Sequence, residues 1–220
     1  DTEKTQLSPG IAQTTLRRIR RGVDGTLEQE EETDVLAAEE PLEIRVEGKS
    51  VAVVMRTPGQ DRELVAGFLC TEGIICSRDD VFEISPCRTT ERAAEGNVMD
   101  VLLRNPTDDL FEKLTRHVFS SSSCGICGKA TIESAMGDFP PIPTEHQFQP
   151  APEIILSLPN KLREAQENFD QTGGLHASAL FSREGELEML FEDVGRHNAL
   201  DKLIGHSLMN DRLPLQNRIL

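Results

Sequence analysis

The stretch TGGLHASALFSREGELEMLFEDVGRHNALDKLIG, residues 172–205, decides the fold class. Thr172-Gly173-Gly174 turns the chain into a strand, Leu175–Phe181. Gly185 marks a hairpin, and Leu187–Phe191 runs back. A polar turn then opens a helix near Arg196, on which Ala199, Leu200, Leu203, Ile204 and Leu208 recur at helical spacing. Upstream, Val98–Leu103 reads as a strand. Pro106-Thr107 opens a helix with Leu110, Leu114 and Val118, and a short helix spans about Lys129–Met136. Gly137–Pro152 holds five prolines and reads as a connector. From Glu153 to Phe169, the residues Ile154, Ile155, Leu158, Leu162, Ala165 and Phe169 share one helical face, with Pro159 able to interrupt its first turns. Strands and helices alternate after residue 98, which predicts an α/β layered domain, and the hairpin makes its sheet mixed.

The N-terminal half reads differently. Leu42–Val46 alternates as a half-buried strand, Glu47–Ser50 turns, and Val51–Met55 is a second strand. Arg56-Thr57-Pro58-Gly59 breaks the chain before a helix through Leu64, Val65, Phe68 and Leu69, with Gly73 as its stop. Residues 28–40 carry seven acids and no base. These features divide the chain into a weakly ordered acidic arm over 1–40, a β-rich part with one helix over 41–106, and an α/β domain over 107–220. The chain closes on Asn217–Leu220 directly after Pro214, which reads as a strand being started. The domain is therefore expected to lack a C-terminal segment and to leave an edge that stays open or is covered by a second copy, as in a homodimer.

A net charge of −15 repels phosphate backbones and anionic membranes, so neither nucleic acid nor a membrane is an expected partner. Tyr and Trp are absent, which removes the usual base-stacking platforms. Five cysteines, an odd number, do not read as a secreted disulfide framework, and a reducing cytoplasm is expected. Cys70, Cys76 and Cys87 lie among apolar residues or in a Pro loop and are assigned to packing.

Cys124-Gly125-Ile126-Cys127 is the main chemical signal. Two thiols at this spacing can perform redox chemistry, bind a metal, or carry sulfur. A helix starting just after the pair, together with Lys129, favours a thiolate. Glu192–Asn198 is the second dense polar cluster. Asp193 is either a helix cap or a site residue. Arg196 and His197 can face an anion, and His176 can meet His197 across the hairpin. Arg56 precedes a helix N-terminus, where it can hold a phosphate or carboxylate.

Four segments in this order, RTPGQDRELVAGFLCTEGII (56–75), SSSCGICGKATIE (121–133), TGGLHASALF (172–181) and FEDVGRHNALDKLIG (191–205), resemble the formate dehydrogenase accessory proteins of the FdhD/NarQ type. The resemblance implies a sulfurtransferase with a cytidine deaminase-like main domain and a smaller β-rich N-terminal part. It implies that sulfur comes from a cysteine desulfurase, rides as a persulfide on Cys124 with Cys127 as the second thiol, and passes to the molybdenum cofactor. That cofactor is a bis(molybdopterin guanine dinucleotide) bound as substrate, with no permanent metal, and its delivery activates formate dehydrogenase. His197, Asp193, Arg196, His176 and Arg56 are the expected cofactor-binding residues. Two other readings remain. A zinc-dependent deaminase-like hydrolase needs H-x-E and P-C-x-x-C, whereas His176 is followed by Ala-Ser and no Pro precedes Cys124. A non-enzymatic cofactor-binding scaffold would carry no sulfur.

Overall fold

A computed structural model of the protein describes residues 10–87, 96–106 and 148–220. Its strands are β1 (Ile11–Arg21), β2 (Leu27–Ala37), β3 (Glu40–Val46), β4 (Lys49–Arg56), β5 (Val81–Pro86), β6 (Val98–Leu103), β7 (His176–Phe181) and β8 (Leu187–Asp193). Its helices are α1 (Asp61–Thr71), α2 (Pro152–Ala165), α3 (Glu167–Thr172) and α4 (Arg196–Met209), with a 3-10 turn at Arg78–Asp80. The expected helices near residues 107–118 and 129–136 lie outside the described residues.

Residues 41–56 fold as their alternation requires. Leu42, Ile44 and Val46 of β3 are fully buried. The sheet order is β4-β3-β6-β5, with β3 antiparallel to β4 but parallel to β6. This is a mixed α/β architecture, and the mixing arises in the N-terminal sheet. The hairpin at Gly185, from which a mixed sheet was expected, forms an antiparallel pair of its own, β7–β8. A bulge between Val81 and Glu83 shifts the register of β5, so its buried residues Val81 and Ile84 do not alternate.

The acidic stretch is not the weakly ordered arm its composition predicts. Residues 11–37 form a two-stranded ribbon in which Arg17 stands opposite Glu31, Arg18 opposite Glu30 and Arg20 opposite Glu28. Arg17 donates to Glu31 at 3.3 Å, and Arg18 pairs with Glu32. Read alone, the acid run repels itself; the compensating arginines sit one strand upstream, and antiparallel pairing brings them across.

The segment after the connector also differs from its pattern. Pro159 stays inside α2, and the chain breaks at Gln166 instead. The Glu192 carboxylate accepts the N–H groups of Asn168 (3.1 Å) and Phe169 (2.9 Å). Those donors are thereby satisfied as the first turn of a new helix, α3.

α1 packs on the four-stranded sheet, α4 packs on β7–β8, and the two helices pack against each other. Their contact is close because Gly67 and Gly205 meet there. A Cβ on Gly67 would stand 1.8 Å from the carbonyl oxygen of Asp201, and one on Gly205 would stand 1.9 Å from that of Glu63. Gly205→Ala forces the helices apart and should cost at least about 3 kcal/mol, the upper range of overpacking effects, read from urea unfolding.

Asp201 lies in the same contact, 9% exposed, and Thr71 Oγ1 stands 3.0 Å from its carboxylate. Burial pushes its pKa up from 3.8 to about 7; the Thr71 hydrogen bond opposes the shift, and the Glu72 and Asp193 carboxylates add to it. The folded protein therefore holds a proton that the unfolded chain has lost. This contribution to stability is complete below pH 3.8 and is lost as pH rises through about 7. Asp201→Asn should match the parent protein near pH 4 and exceed its melting temperature progressively up to pH 8. A constant difference across that range would contradict the assignment.

Candidate functional site

Two polar loops that are far apart in sequence meet where β4, β8 and α4 converge. The first, Arg56–Gln60, links β4 to α1; the second, Glu192–Gly195, links β8 to α4. Asp193 is fully buried between them. Its Oδ2 accepts the Thr57 N–H at 3.1 Å, and its Oδ1 accepts the Gly195 N–H at 2.8 Å and Asn198 Nδ2 at 2.9 Å. The Thr57 hydroxyl accepts the Val194 N–H at 3.0 Å, and Asn198 Nδ2 also donates to the Met55 carbonyl at 2.7 Å.

Lys202 closes the junction from beneath. Its side chain is fully buried, and its ammonium lies 2.7 Å from Asp193 Oδ2. It also donates to the carbonyls of Thr57 (3.1 Å) and Glu192 (3.3 Å). Three protons meet three acceptors, which a buried charge requires to be tolerated.

A cavity of about 240 Å³ opens beside this junction. Its walls include Thr57–Gln60, the α2–α3 junction at Ala165, Glu167 and Asn168, and the end of β8 from Leu190 to Glu192, with Gly10 at the base of the ribbon.

The five expected cofactor-binding residues separate into two groups. Arg196 and His197, in the first turn of α4, are exposed, as is His176 at the start of β7, whose register partner is Asp193. His176 stands opposite Asp193 in the β7–β8 register, Arg196 and His197 follow Asp193 at the start of α4, and none of the three is among the residues lining the cavity. Asp193 and Arg56 are turned inward. Arg56 is 2% exposed. It donates to both Asp61 oxygens (2.8 and 3.0 Å), to Asn97 Oδ1 at 3.0 Å, and to Glu40 at 3.5 Å. Asp61 is the first residue of α1, and its carboxylate faces Arg56. Cys124 and Cys127 lie outside the described residues. Thr57, Asn198 and Lys202 were missed from sequence. Asn198 and Lys202 stand four residues apart, one turn of a helix, so two polar groups on the packed side of α4 were the available signal.

A family model described as the FdhD/NarQ family matches residues 37–220. The chain is 45% identical over 214 residues to the sulfur carrier protein FdhD of Streptomyces avermitilis, covering 92% of this chain and 71% of that protein. It is 44% identical over 192 residues to the protein of the same name from Mycobacterium tuberculosis, covering 85% and 70%. The crystal structure of a putative formate dehydrogenase accessory protein from Desulfotalea psychrophila has the same fold, with a TM-score of 0.58 at 22% identity over 92% of this chain and 68% of that one. The chain belongs to the FdhD/NarQ family.

Removing one member of the buried pair isolates the other. Asp193→Ala leaves an uncompensated ammonium in the core and should destabilise the protein by about 3–5 kcal/mol, whereas the exposed His197→Ala should leave the unfolding midpoint unchanged. Chemical denaturation of the two variants checks both.

Proposed function

We propose that this protein is a sulfur carrier of the cytoplasm that moves persulfide sulfur from a cysteine desulfurase to the molybdenum cofactor used by formate dehydrogenase. The observation that carries the reading is the family match over residues 37–220, which includes the Cys124-Gly125-Ile126-Cys127 loop. The name sulfur carrier, borne by relatives that are 44–45% identical to the chain over 192–214 aligned residues, favours this reading over a zinc hydrolase. No helix among the described residues is long and apolar enough to cross a membrane.

The chemistry balances as two sulfur transfers. The Cys124 thiolate attacks the outer sulfur of the desulfurase persulfide. The donor's S–S bond breaks, the donor leaves as a thiolate, and Cys124 carries the new persulfide. Cys127 assists release, either by holding the loop while an electron pair of the acceptor attacks the outer sulfur, the Cys124 S–S bond breaks and Cys124 leaves as a thiolate, or by attacking Cys124 Sγ. In the second case the outer sulfur departs as hydrosulfide, and a Cys124–Cys127 disulfide holds the two electrons' worth of oxidation until a thiol reduces it.

The anionic bis(molybdopterin guanine dinucleotide) is the acceptor substrate. Arg196, His197 and His176 offer it exposed donors at the end of the β7–β8 pair, because the cavity beside Thr57–Gln60, about 240 Å³ and lined by Glu167 and Glu192, does not fit so large an anion. Arg56 and Asp193 contribute by holding the loops. In this reading β7, β8 and α4 belong to a deaminase-like layered domain, and partner enzymes dock on the chain as it is or as a homodimer.

Cys124→Ser should abolish both persulfide loading, read by mass spectrometry after incubation with a desulfurase and cysteine, and activation of formate dehydrogenase. Cys127→Ser should load sulfur but release it poorly. A Cys124→Ser protein that still gains a labile sulfur and still activates the enzyme would sink the proposal; equal loss of loading in both variants would point to a metal or disulfide pair.

A further inference from the structure

We infer that the free edge of β1 is a docking strand for an acidic, extended segment of another protein. The ribbon pairs in unbroken register from Ile11 opposite Ala37 to Arg21 opposite Leu27, and β1 and β2 form a sheet of two strands. β1 therefore keeps one unpaired edge, along which every second residue turns its N–H and C=O outward. Among the described residues no other backbone group fills that edge over residues 11–21. Arg17 to Arg21 are all exposed. Three apolar side chains at this end of the ribbon also lie in solvent: Ile19 is 59% exposed, Leu27 62%, and Val23, in the turn, fully. A long edge without a bulge is a template for a further strand, and a two-stranded ribbon gains stability from one.

Charge selects the occupant. β1 carries Arg17, Arg18, Arg20 and Arg21 and no acid, whereas β2 carries only acids. Arg17 and Arg18 each meet one carboxylate, on β2, and Arg20 and Arg21 make no ion pair among the described residues. A guanidinium has five N–H donors, so it can meet a second carboxylate arriving from the open side. A second copy is a poor fit. Paired two-fold about Ile19, it would set Arg17 against Arg21 and Arg18 against Arg20, like charges directly opposite, and it would bring another net charge of −15. The register also fixes the pattern of the segment. Residues directly opposite in a ladder interact on one face, so a strand antiparallel to β1 places acids opposite Arg21, Arg20, Arg18 and Arg17, and apolar residues opposite Ile19 and Leu16. The segment that fits reads acid-acid-apolar-acid-acid-apolar. Main-chain bonds supply affinity in such strand addition, and the side-chain order supplies specificity. The inference stands apart from the proposed sulfur chemistry.

The test titrates the full chain with a synthetic peptide, Glu-Glu-Val-Glu-Glu-Leu-Thr-Val-Thr-Val, which matches the edge from Arg21 back to Ala12. A second peptide holds the same residues in the order Glu-Val-Thr-Leu-Glu-Val-Glu-Thr-Val-Glu. Calorimetry gives the affinities, and hydrogen exchange locates the protected amides. The matched peptide is expected to protect alternate N–H groups of β1 and to bind at least about tenfold tighter than the scrambled one. Arg20→Gln/Arg21→Gln, which leaves the Arg17–Glu31 and Arg18–Glu32 pairs in place, is expected to weaken binding roughly tenfold, as the loss of two exposed charge pairs implies. Equal affinity for the two peptides reduces the effect to net charge and overturns the inference. No binding of the matched peptide, or binding that leaves the β1 amides unprotected, overturns it too. Self-association of the parent chain that protects those amides assigns the edge to a second copy, which also overturns it. If the double variant loses the ribbon, seen as lost protection over residues 11–37, the comparison of the two peptides on the parent chain decides.

Discussion

The buried ammonium of Lys202 is the constraint on which the arrangement depends. Taking that charge out of water is costly, and only a full set of acceptors in the right geometry offsets the loss. Those acceptors come from Thr57, Glu192 and Asp193, so the ammonium is satisfied only when the N-terminal sheet and the β7–β8 pair have come together. The contact spans 145 residues of sequence. It works alongside the Gly67–Gly205 crossing, where the absence of two side chains lets α1 and α4 approach backbone to backbone. One device forbids separation of the two halves and the other permits their proximity.

Charge is handled differently elsewhere in the molecule. The surplus of acids that gives a net −15 is carried partly on β2, where the arginines of β1 stand across it in solvent. Such exposed pairs contribute little to stability but remove local repulsion. Asp193 is buried with a cation, whereas Asp201 is buried beside a hydroxyl and two other carboxylates. The first anchors the loops and is tolerated as an ion; the second is best tolerated with its proton on. Adjacent acids on the α4 side of the fold thus follow opposite rules because their neighbours differ.

The same contrast separates the polar residues of the candidate site. Arg196, His197 and His176 are exposed, whereas Arg56 is enclosed by Asp61, Asn97 and Glu40. A guanidinium whose donors are spent on its own chain is a structural post, and holding the Arg56–Gln60 loop in shape is its contribution to the cavity.

The sequence by itself determined the elements whose signal is local. β3, β4, α1, β6, the β7–β8 hairpin and α4 all follow from apolar periodicity and turn residues within a dozen positions, and the four motifs that mark the family are contiguous strings. It also placed His176 at the start of β7 and Arg196 and His197 at the start of α4. Tertiary structure alone decided the rest. The ribbon of residues 11–37 forms because acids meet arginines on another strand; α2 ends at Gln166 because a carboxylate from β8 captures the next two N–H groups; the N-terminal sheet becomes mixed because β6 runs parallel beside β3. Whether Arg56 and Asp193 faced a ligand or the interior depended on partners up to 136 positions away. A side chain's neighbours across the fold set its burial and its hydrogen bonds, and no local pattern of residues carries that information.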